Sequence, residues 1–337
     1  MAKLLKDGTI VMESFPSISS FAAAVGKMEG DGPLGNCFDY IAEDATLGES
    51  SWEKSESKLQ QYAFSNALSK GGFSEKNIDV MFAGDLLNQC VSSSYGARDT
   101  DIPFYGLFGA CSTMAESLSL ASVFVDSGAA VNAAAVTSSH FCSAERQFRL
   151  PVNYGGQRTP TAQWTATAAG CAIVSPHLEP PYVKAVTVGK IKDMGVTDAN
   201  NMGAAMATAA YDTISRHLAN TNQSIDSFDL ILTGDLGKVG SDILVELFKK
   251  DNVDIEGKHN DCGLMLYDMQ KQDVHSGGSG CGCSASVLCG HVLREIQQGR
   301  LKNVLFAATG ALMSPTIVQQ GESIPGISHA VHISAVQ

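Results

Sequence analysis

Apolar residues in this chain gather in short, near-continuous runs. These alternate with longer segments in which apolar residues recur at helical spacing, the pattern of an alternating β/α protein. Trp52 to Lys70 reads as a helix, with Trp52, Leu59, Tyr62, Ala63 and Ala67 on one side and Glu53, Lys54, Lys58 and Gln60 on the other. Gly71-Gly72 supplies its stop. A buried strand follows from Ile78 to Gly84 and ends at Asp85. The strand-like run Ile102 to Leu107 leads through Phe108-Gly109-Ala110-Cys111 into a helix from Ser112 to Phe124, closed by Asp126-Ser127-Gly128. Val131 to Val136 is the next strand and runs into Thr137-Ser138-Ser139-His140. Residues 1–50 read as irregular, with a turn at Asp31 to Gly35, and the polar stretch Ser143 to Arg158 reads as a long loop. Trp164 to Ser175 is a strand, Pro176 to Pro181 a linker, Tyr182 to Val188 a strand, Met202 to Leu218 an Ala-rich helix and Phe228 to Gly234 a strand.

The last of these strands exposes a repeat. Ile78-Asp79-Val80-Met81-Phe82-Ala83-Gly84-Asp85-Leu86 matches Phe228-Asp229-Leu230-Ile231-Leu232-Thr233-Gly234-Asp235-Leu236 at a constant offset of 150 residues. Gly109-Ala110-Cys111-Ser112 is echoed by Gly282-Cys283-Ser284, and each is followed by a helix, a glycine (Gly128, Gly299), a strand and a Ser-bearing turn. A duplicated β/α unit accounts for this, with halves at 1–180 and 181–337 and a site where their strand ends meet.

Composition narrows the function. With 337 residues, 44% of them hydrophobic, the chain can bury a large core. A formal net charge of -12 without any Lys/Arg cluster argues against nucleic acid as a partner. Met1 to Gly8 lacks the apolar centre of a signal peptide, and no run reaches the roughly 20 apolar residues of a membrane span. Nine cysteines, an odd number outside any small disulfide framework, suit a reducing compartment.

Cys111 is the residue on which chemistry would turn. A thiol at a helix start meets unpaired N–H groups and partial positive charge, which lower its pKa and also attract anions. The alternatives are catalysis, ligand binding, or a small buried hydrophobe. Cys281 and Cys283, with His259 and Cys262 upstream, lack Cys-x-x-Cys zinc spacing and read as packing residues, so no metal site is expected. His275, His291 and His329 read as packing or solvent residues, and Asp85 and Asp235 suit capping of strand-to-helix turns.

The duplicated unit with a cysteine at a helix start resembles the thiolase-type condensing enzymes, nearest their 3-ketoacyl synthase III branch. Gly282-Cys283-Ser284-Ala285-Ser286 and Gln298 to Leu305 carry that likeness. Longer segments resemble the stage V sporulation protein AD family: Ala83 to Gln89, Phe108 to Ser117, Ala144 to Arg149, His259 to Met265 and Thr309 to Gln320. The resemblance implies a thiolase-like layered αβαβα fold and a homodimer. It also implies binding of dipicolinic acid (pyridine-2,6-dicarboxylic acid) for uptake into the developing spore, beside membrane proteins of the same operon at the spore inner membrane. The location implied is cytoplasmic or peripheral at that membrane.

A condensing enzyme would use Cys111 with His259 as its second-half histidine. Its Asn–Thr–Ser turn, however, is here Gly278-Ser279-Gly280-Cys281-Gly282, without the amide donor. Binding demands less. The expected ligand site is Cys111 at its helix start, an Arg146 fork, donors from Ser138, Ser139 and His140, and Asp85 with Asp235 as orienting groups. An acidic chain should repel a free dianion, so a neutral calcium chelate is a further expectation, with Asp85 or Glu145 facing the metal. An acyltransferase using Cys111 and a scaffold for membrane partners are the competing readings.

Overall fold

The computed structural model describes residues 1–148, 157–176 and 178–337. Ten strands form its framework: β1 (Ser17–Val25), β2 (Val80–Gly84), β3 (Phe104–Leu107), β4 (Ala133–Ser139), β5 (Ala168–Ser175), β6 (Tyr182–Thr187), β7 (Leu230–Thr233), β8 (His259–Asp261), β9 (Asn303–Ala311) and β10 (Gly326–Ser334). They run β8-β7-β9-β10-β6-β1-β5-β4-β2-β3 in one hydrogen-bonded path. Read outward from its middle, each half has the same order, first, fifth, fourth, second, third. Each half also has the same pattern of parallel pairs around its second strand and antiparallel pairs around its fifth. Along this path the halves meet where Tyr182 stands opposite Ser17, and Thr9–Val11 of the first half also pairs with β6 of the second. The 150-residue repeat is therefore a repeat of topology.

The layers follow from strand alternation. Val80 and Phe82 of β2 face a central core, while Met81 and Ala83 face an outer one. The outer core of the first half is closed by α1 (Trp52–Gly71) through Leu59, Ala63, Phe64 and Ala67. The central layer holds α2 (Thr113–Ser127), whose Met114 and Leu118 pack with Phe82 and with Phe306 of β9. It also holds α6 (Cys281–Val287), with Cys283 and Val287 in the same cluster. The far layer is α4 (Met202–Thr221) and α5 (Gly237–Lys250), whose Met206, Ile214, Leu244 and Phe248 cover Ile231, Leu305 and Ala330. The order is helix, sheet, helix, sheet, helix.

Three expectations need correction. Residues 1–50 are not irregular: Lys3–Lys6 pairs with Thr9–Val11, and β1 is a buried strand at the molecule's centre. Its Ser- and Ala-rich sequence lacks the bulky β-branched run that signals a core strand, because small side chains let α1 and the central layer approach closely. In α1, Gln60 is buried rather than solvent-facing. Its amide donates to Ser93 Oγ (3.1 Å) and Ser138 Oγ (3.3 Å), and Glu56 is buried beside it. The supposed loop opens instead with helix α3 (Phe141–Phe148); Arg149 to Gly156 lie outside the described residues.

Candidate functional site

Cys111 is delivered by a tight turn. Ala110 takes a left-handed conformation (φ 49°), a strained state for a residue with a Cβ. The turn is locked by hydroxyls: Ser112 Oγ donates to the Gly109 carbonyl (2.6 Å) and Thr113 Oγ1 to the Ala110 carbonyl (2.6 Å). The N–H groups of Ser112 and Thr113 also bond to those carbonyls, so two donors expected for a ligand are already engaged.

Beside the thiol opens a narrow cavity of about 40 Å³, part of it open to solvent. The space is a slot rather than a chamber. Leu86, Phe108, Ala144, Phe148, Met202, Ala311 and Met313 make its apolar walls; Cys111, Glu145, Thr165 and Ser279 supply side-chain polar groups. Thr165 Oγ1 donates to Glu145 Oε1 at 3.4 Å. Both halves contribute, as a site between two sets of strand ends requires.

Behind Cys111 stand Asp235, expected as an orienting group, and Cys281, expected only to pack. Asp235 is fully buried, and its Oδ1 accepts from Thr309 Oγ1 (2.6 Å). Its Oδ2 makes no hydrogen bond of ordinary geometry, although the Cys111 thiol and the Gly280 N–H are near enough to shift its titration. Burial raises Asp235 to about 7; the thiol and the Thr309 hydroxyl pull it down, and Asp261 pushes it up. Burial likewise pushes the Cys111 thiol well above its usual range, and the Asp235 charge and Cys281 push the same way. The expected lowering by the helix start is overturned: desolvation and a neighbouring acid outweigh a terminal partial charge. Cys281 Sγ donates to the Ser138 carbonyl (3.0 Å).

The structure brings Glu145 to the cavity with Cys111, sets the expected orienting residue Asp235 behind the thiol, and places the other expected residues elsewhere. Asp85 is buried as a turn cap, Oδ1 accepting from Leu87 N (2.8 Å) and Oδ2 from Ser93 N (2.8 Å) and Ser93 Oγ (2.7 Å). Ser138 Oγ turns away to donate to Glu56 Oε1 (3.1 Å). Ser139 Oγ donates to the Ala166 carbonyl (2.7 Å) and accepts from Gly282 N (3.1 Å), tying β4 to the start of α6. His140 is buried, Nε2 on the Ala45 carbonyl (2.8 Å) and the ring tilted against Trp52. Arg146 pairs with Glu53 over a separate surface groove that includes Asn88, Tyr95 and Gln147. His259 sits on β8 with Nε2 against Thr233 Oγ1 (2.9 Å) and neither lines the cavity nor perturbs Cys111. Asp235 was visible as the repeat partner of Asp85; the two differ because Asp85 has three donors and Asp235 has one.

The sequence model of stage V sporulation protein AD (SpoVAD) matches residues 6–334. Stage V sporulation protein AD of Bacillus subtilis (strain 168) is 46% identical over 329 residues, covering 98% of this chain and 97% of that protein. The chain belongs to the stage V sporulation protein AD family. Solved structures show the fold shared by this family member. The 3-oxoacyl-[acyl-carrier-protein] synthase III of Aquifex aeolicus VF5 aligns over 95% of this chain and 99% of its own (TM-score 0.55, 13% identity). Cerulenin-bound Xanthomonas campestris OleA aligns over 96% and 99% (TM-score 0.61, 10% identity). The fold is thiolase-like. Among the described residues, no helix of this SpoVAD-family chain is long and apolar enough to cross a membrane, and no group of three or more His, Cys, Asp or Glu could hold a metal ion.

Proposed function

We propose that this sporulation protein binds dipicolinate in the cavity beside Cys111, without catalysis, and serves its uptake into the developing spore as a homodimer working with membrane proteins of the same operon at the spore inner membrane. The observation that carries the reading is the state of the thiol. A nucleophilic cysteine needs a base or a positive neighbour to hold the thiolate. Here Cys111 has a buried acid and a second thiol instead. What remains is a slot with apolar walls, including Phe108 and Phe148, and hydroxyls at Thr165 and Ser279. That shape suits a flat aromatic ring whose edge carries hydrogen-bond acceptors.

Calorimetric titration of the purified protein with dipicolinate tests the reading, with and without calcium. Heat that is lost when Phe148→Ala opens the wall supports it. A mass increase on Cys111 after incubation with an acyl-CoA would favour an acyltransferase instead. Binding of neither ligand would leave the scaffold role.

A further inference from the structure

Two segments far apart in sequence carry bare apolar side chains, and the fold sets them side by side. The first is the hairpin of Lys3–Lys6 with Thr9–Val11. Asp7 and Gly8 close it, both left-handed (φ 49° and 80°), as a tight two-residue hairpin turn requires. The pairing shifts register between Leu4 and Lys6, which makes Leu5 the extra residue of a bulge. Leu4 and Leu5, neighbours that a regular strand would send to opposite faces, are therefore both exposed. The second segment follows β6, where Val188, Ile191 and Met194 are exposed. Leu4 and Ile191 are each 64% exposed. One side of α4 holds both segments. Asp212, Arg216 and Asn220 recur every fourth residue and so form one stripe. Asp212 pairs with Lys192 (2.6 Å) and with Arg216 (2.7 Å). Arg216 donates to the Asp7 carbonyl (2.8 Å) and the Val188 carbonyl (3.1 Å), and Asn220 Nδ2 donates to the Lys6 carbonyl (2.9 Å). The Lys190–Asp7 ion pair (2.7 Å) and the bond from Val188 N to the Gly8 carbonyl (2.9 Å) close the seam. From Asp212 to Asn220 is about 12 Å of helix, so the two segments make one continuous face.

The charge of this face is opposite to that of the chain. Lys3, Lys6, Lys190, Lys192 and Arg216 stand against Asp7, Asp193 and Asp212, whereas the whole chain has 23 basic and 35 acidic residues. Lys190 and Lys192 are tied to Asp7 and Asp212, while Lys3 and Lys6 are exposed on the outer strand of the hairpin. Lysines alone could be guarding an open strand edge. They do not account for Leu4, Leu5, Ile191 and Met194 left bare beside them. Apolar tips rimmed by lysines are the pattern of a surface that enters a lipid interface. We propose that this face docks the protein directly on an anionic lipid bilayer, with the apolar side chains in the headgroup boundary and the lysines on lipid phosphates. The net charge of -12 does not forbid it. Salt screens charges beyond about 8–10 Å, so those at the contact decide, and the acidic remainder turns this face toward the membrane. The contact needs no membrane protein, which takes it beyond the partnership proposed above. No residue of the face lines the Cys111 cavity, so it stands apart from the ligand reading.

The test is cosedimentation of the purified protein with vesicles of phosphatidylcholine alone and of phosphatidylcholine with about one-third phosphatidylglycerol, over a range of salt. Binding to the anionic vesicles only is expected, weakening as salt rises. A lysine near an anionic surface contributes about fivefold, so Lys3→Glu with Lys6→Glu should lower partitioning by more than about tenfold. Leu4→Ser with Ile191→Ser should also weaken binding, while keeping its salt dependence. Lys249→Glu with Lys250→Glu, in the exposed last turn of α5, makes the same charge change on another face and should bind as the wild type does. Helix content and the dipicolinate titration should be unchanged in all three variants, which separates a lost contact from a misfolded chain. No binding of the wild type to anionic vesicles overturns the inference, leaves the dipicolinate reading untouched and gives the face to an acidic protein partner. Equal binding to both kinds of vesicle overturns the role of the lysines. An equal loss in the α5 variant overturns the assignment to this face. Selective vesicle binding by a protein that takes up no dipicolinate would support the inference and remove the ligand reading.

Discussion

The Gly109 carbonyl occupies the place where a side chain on Gly310 would begin: a Cβ there would stand 2.4 Å from the oxygen and 3.2 Å from the Cys111 N. Strand β9 of the second half thus presses directly on the cysteine turn of the first. Neither partner is the tip of a flexible side chain, so the contact cannot be relieved locally. Gly310→Ala should push the turn away and cost about 1–3 kcal/mol, as overpacking does. Urea unfolding measures the loss. The same variant should bind dipicolinate at least tenfold more weakly, because the cavity wall moves with the turn.

Glu56 sets a second prediction. It is fully buried, with Ser138 Oγ donating to Oε1 (3.1 Å) and Ser143 Oγ to Oε2 (2.9 Å). Burial, helped by the Asp85 charge, raises it to about 8 from an ordinary 4.5. The folded state therefore keeps a proton that the unfolded state releases, and stability falls as pH rises through that window. The buried histidines act oppositely. Burial lowers His217 to about 3 and His259, His329 and His332 to about 4, from 6.5, so stability falls as pH drops through their window. Thermal unfolding across pH 4 to 9 should show Glu56→Gln gaining on the wild type by a few kcal/mol toward pH 8. The acid-side loss should remain unchanged.

Much of this was legible in the sequence, and what was hidden has a physical reason. The repeat of Ile78 to Leu86 at Phe228 to Leu236 announced the duplicated topology, and Gly72 and Gly128, both left-handed, ended their helices where expected. β1 was hidden because its buried positions are Ser and Ala, whose burial comes from neighbours supplied by distant segments. The site was half legible: Cys111 and Glu145 line the cavity, yet the direction of a side chain at a strand end depends on one residue of register. Ser138 and Ser139, adjacent in β4, consequently serve opposite faces. Asp235 could be seen as a capping residue, but its missing donors could not.

Arg146 is the residue on which sequence and structure part most clearly. Its guanidinium is more than half exposed, pairs with Glu53 and belongs to a groove separate from the Cys111 cavity. Exposed pairs of this kind contribute about 0–1 kcal/mol. Arg146→Ala should leave dipicolinate affinity within about twofold and unfolding nearly unchanged, whereas Phe148→Ala, two residues on and in the cavity wall, should weaken binding measurably.

Strand β3 carries the homodimer prediction. It is the last strand of the sheet, and Phe104 (37% exposed), Tyr105 (53%) and nearby Phe108 (45%) are open to solvent. An unpaired, aromatic edge invites pairing with another copy. Light scattering should give twice the chain mass for the wild type. Tyr105→Glu, which places charge on that edge, should shift the particle to the monomer mass without lowering its helix content. A wild-type monomer at working concentration would remove the dimer from the functional account.

The protonated state of Cys111 predicts a labelling pattern. Of the nine cysteines, only Cys37 and Cys142 are partly exposed; Cys111 and the rest are buried. Alkylation requires both access and thiolate, and Cys111 has a wall position but a thiol pushed far up by burial and by Asp235. Iodoacetamide at pH 8 should therefore stop at two adducts on the native protein and reach nine only after denaturation, as read by intact mass. Above about pH 7 Asp235 is ionised and opposes the thiolate, so Asp235→Asn should speed labelling of Cys111 while leaving Cys37 and Cys142 at their wild-type rates. Rapid labelling of Cys111 in the wild type would restore the nucleophile, and with it the acyltransferase reading.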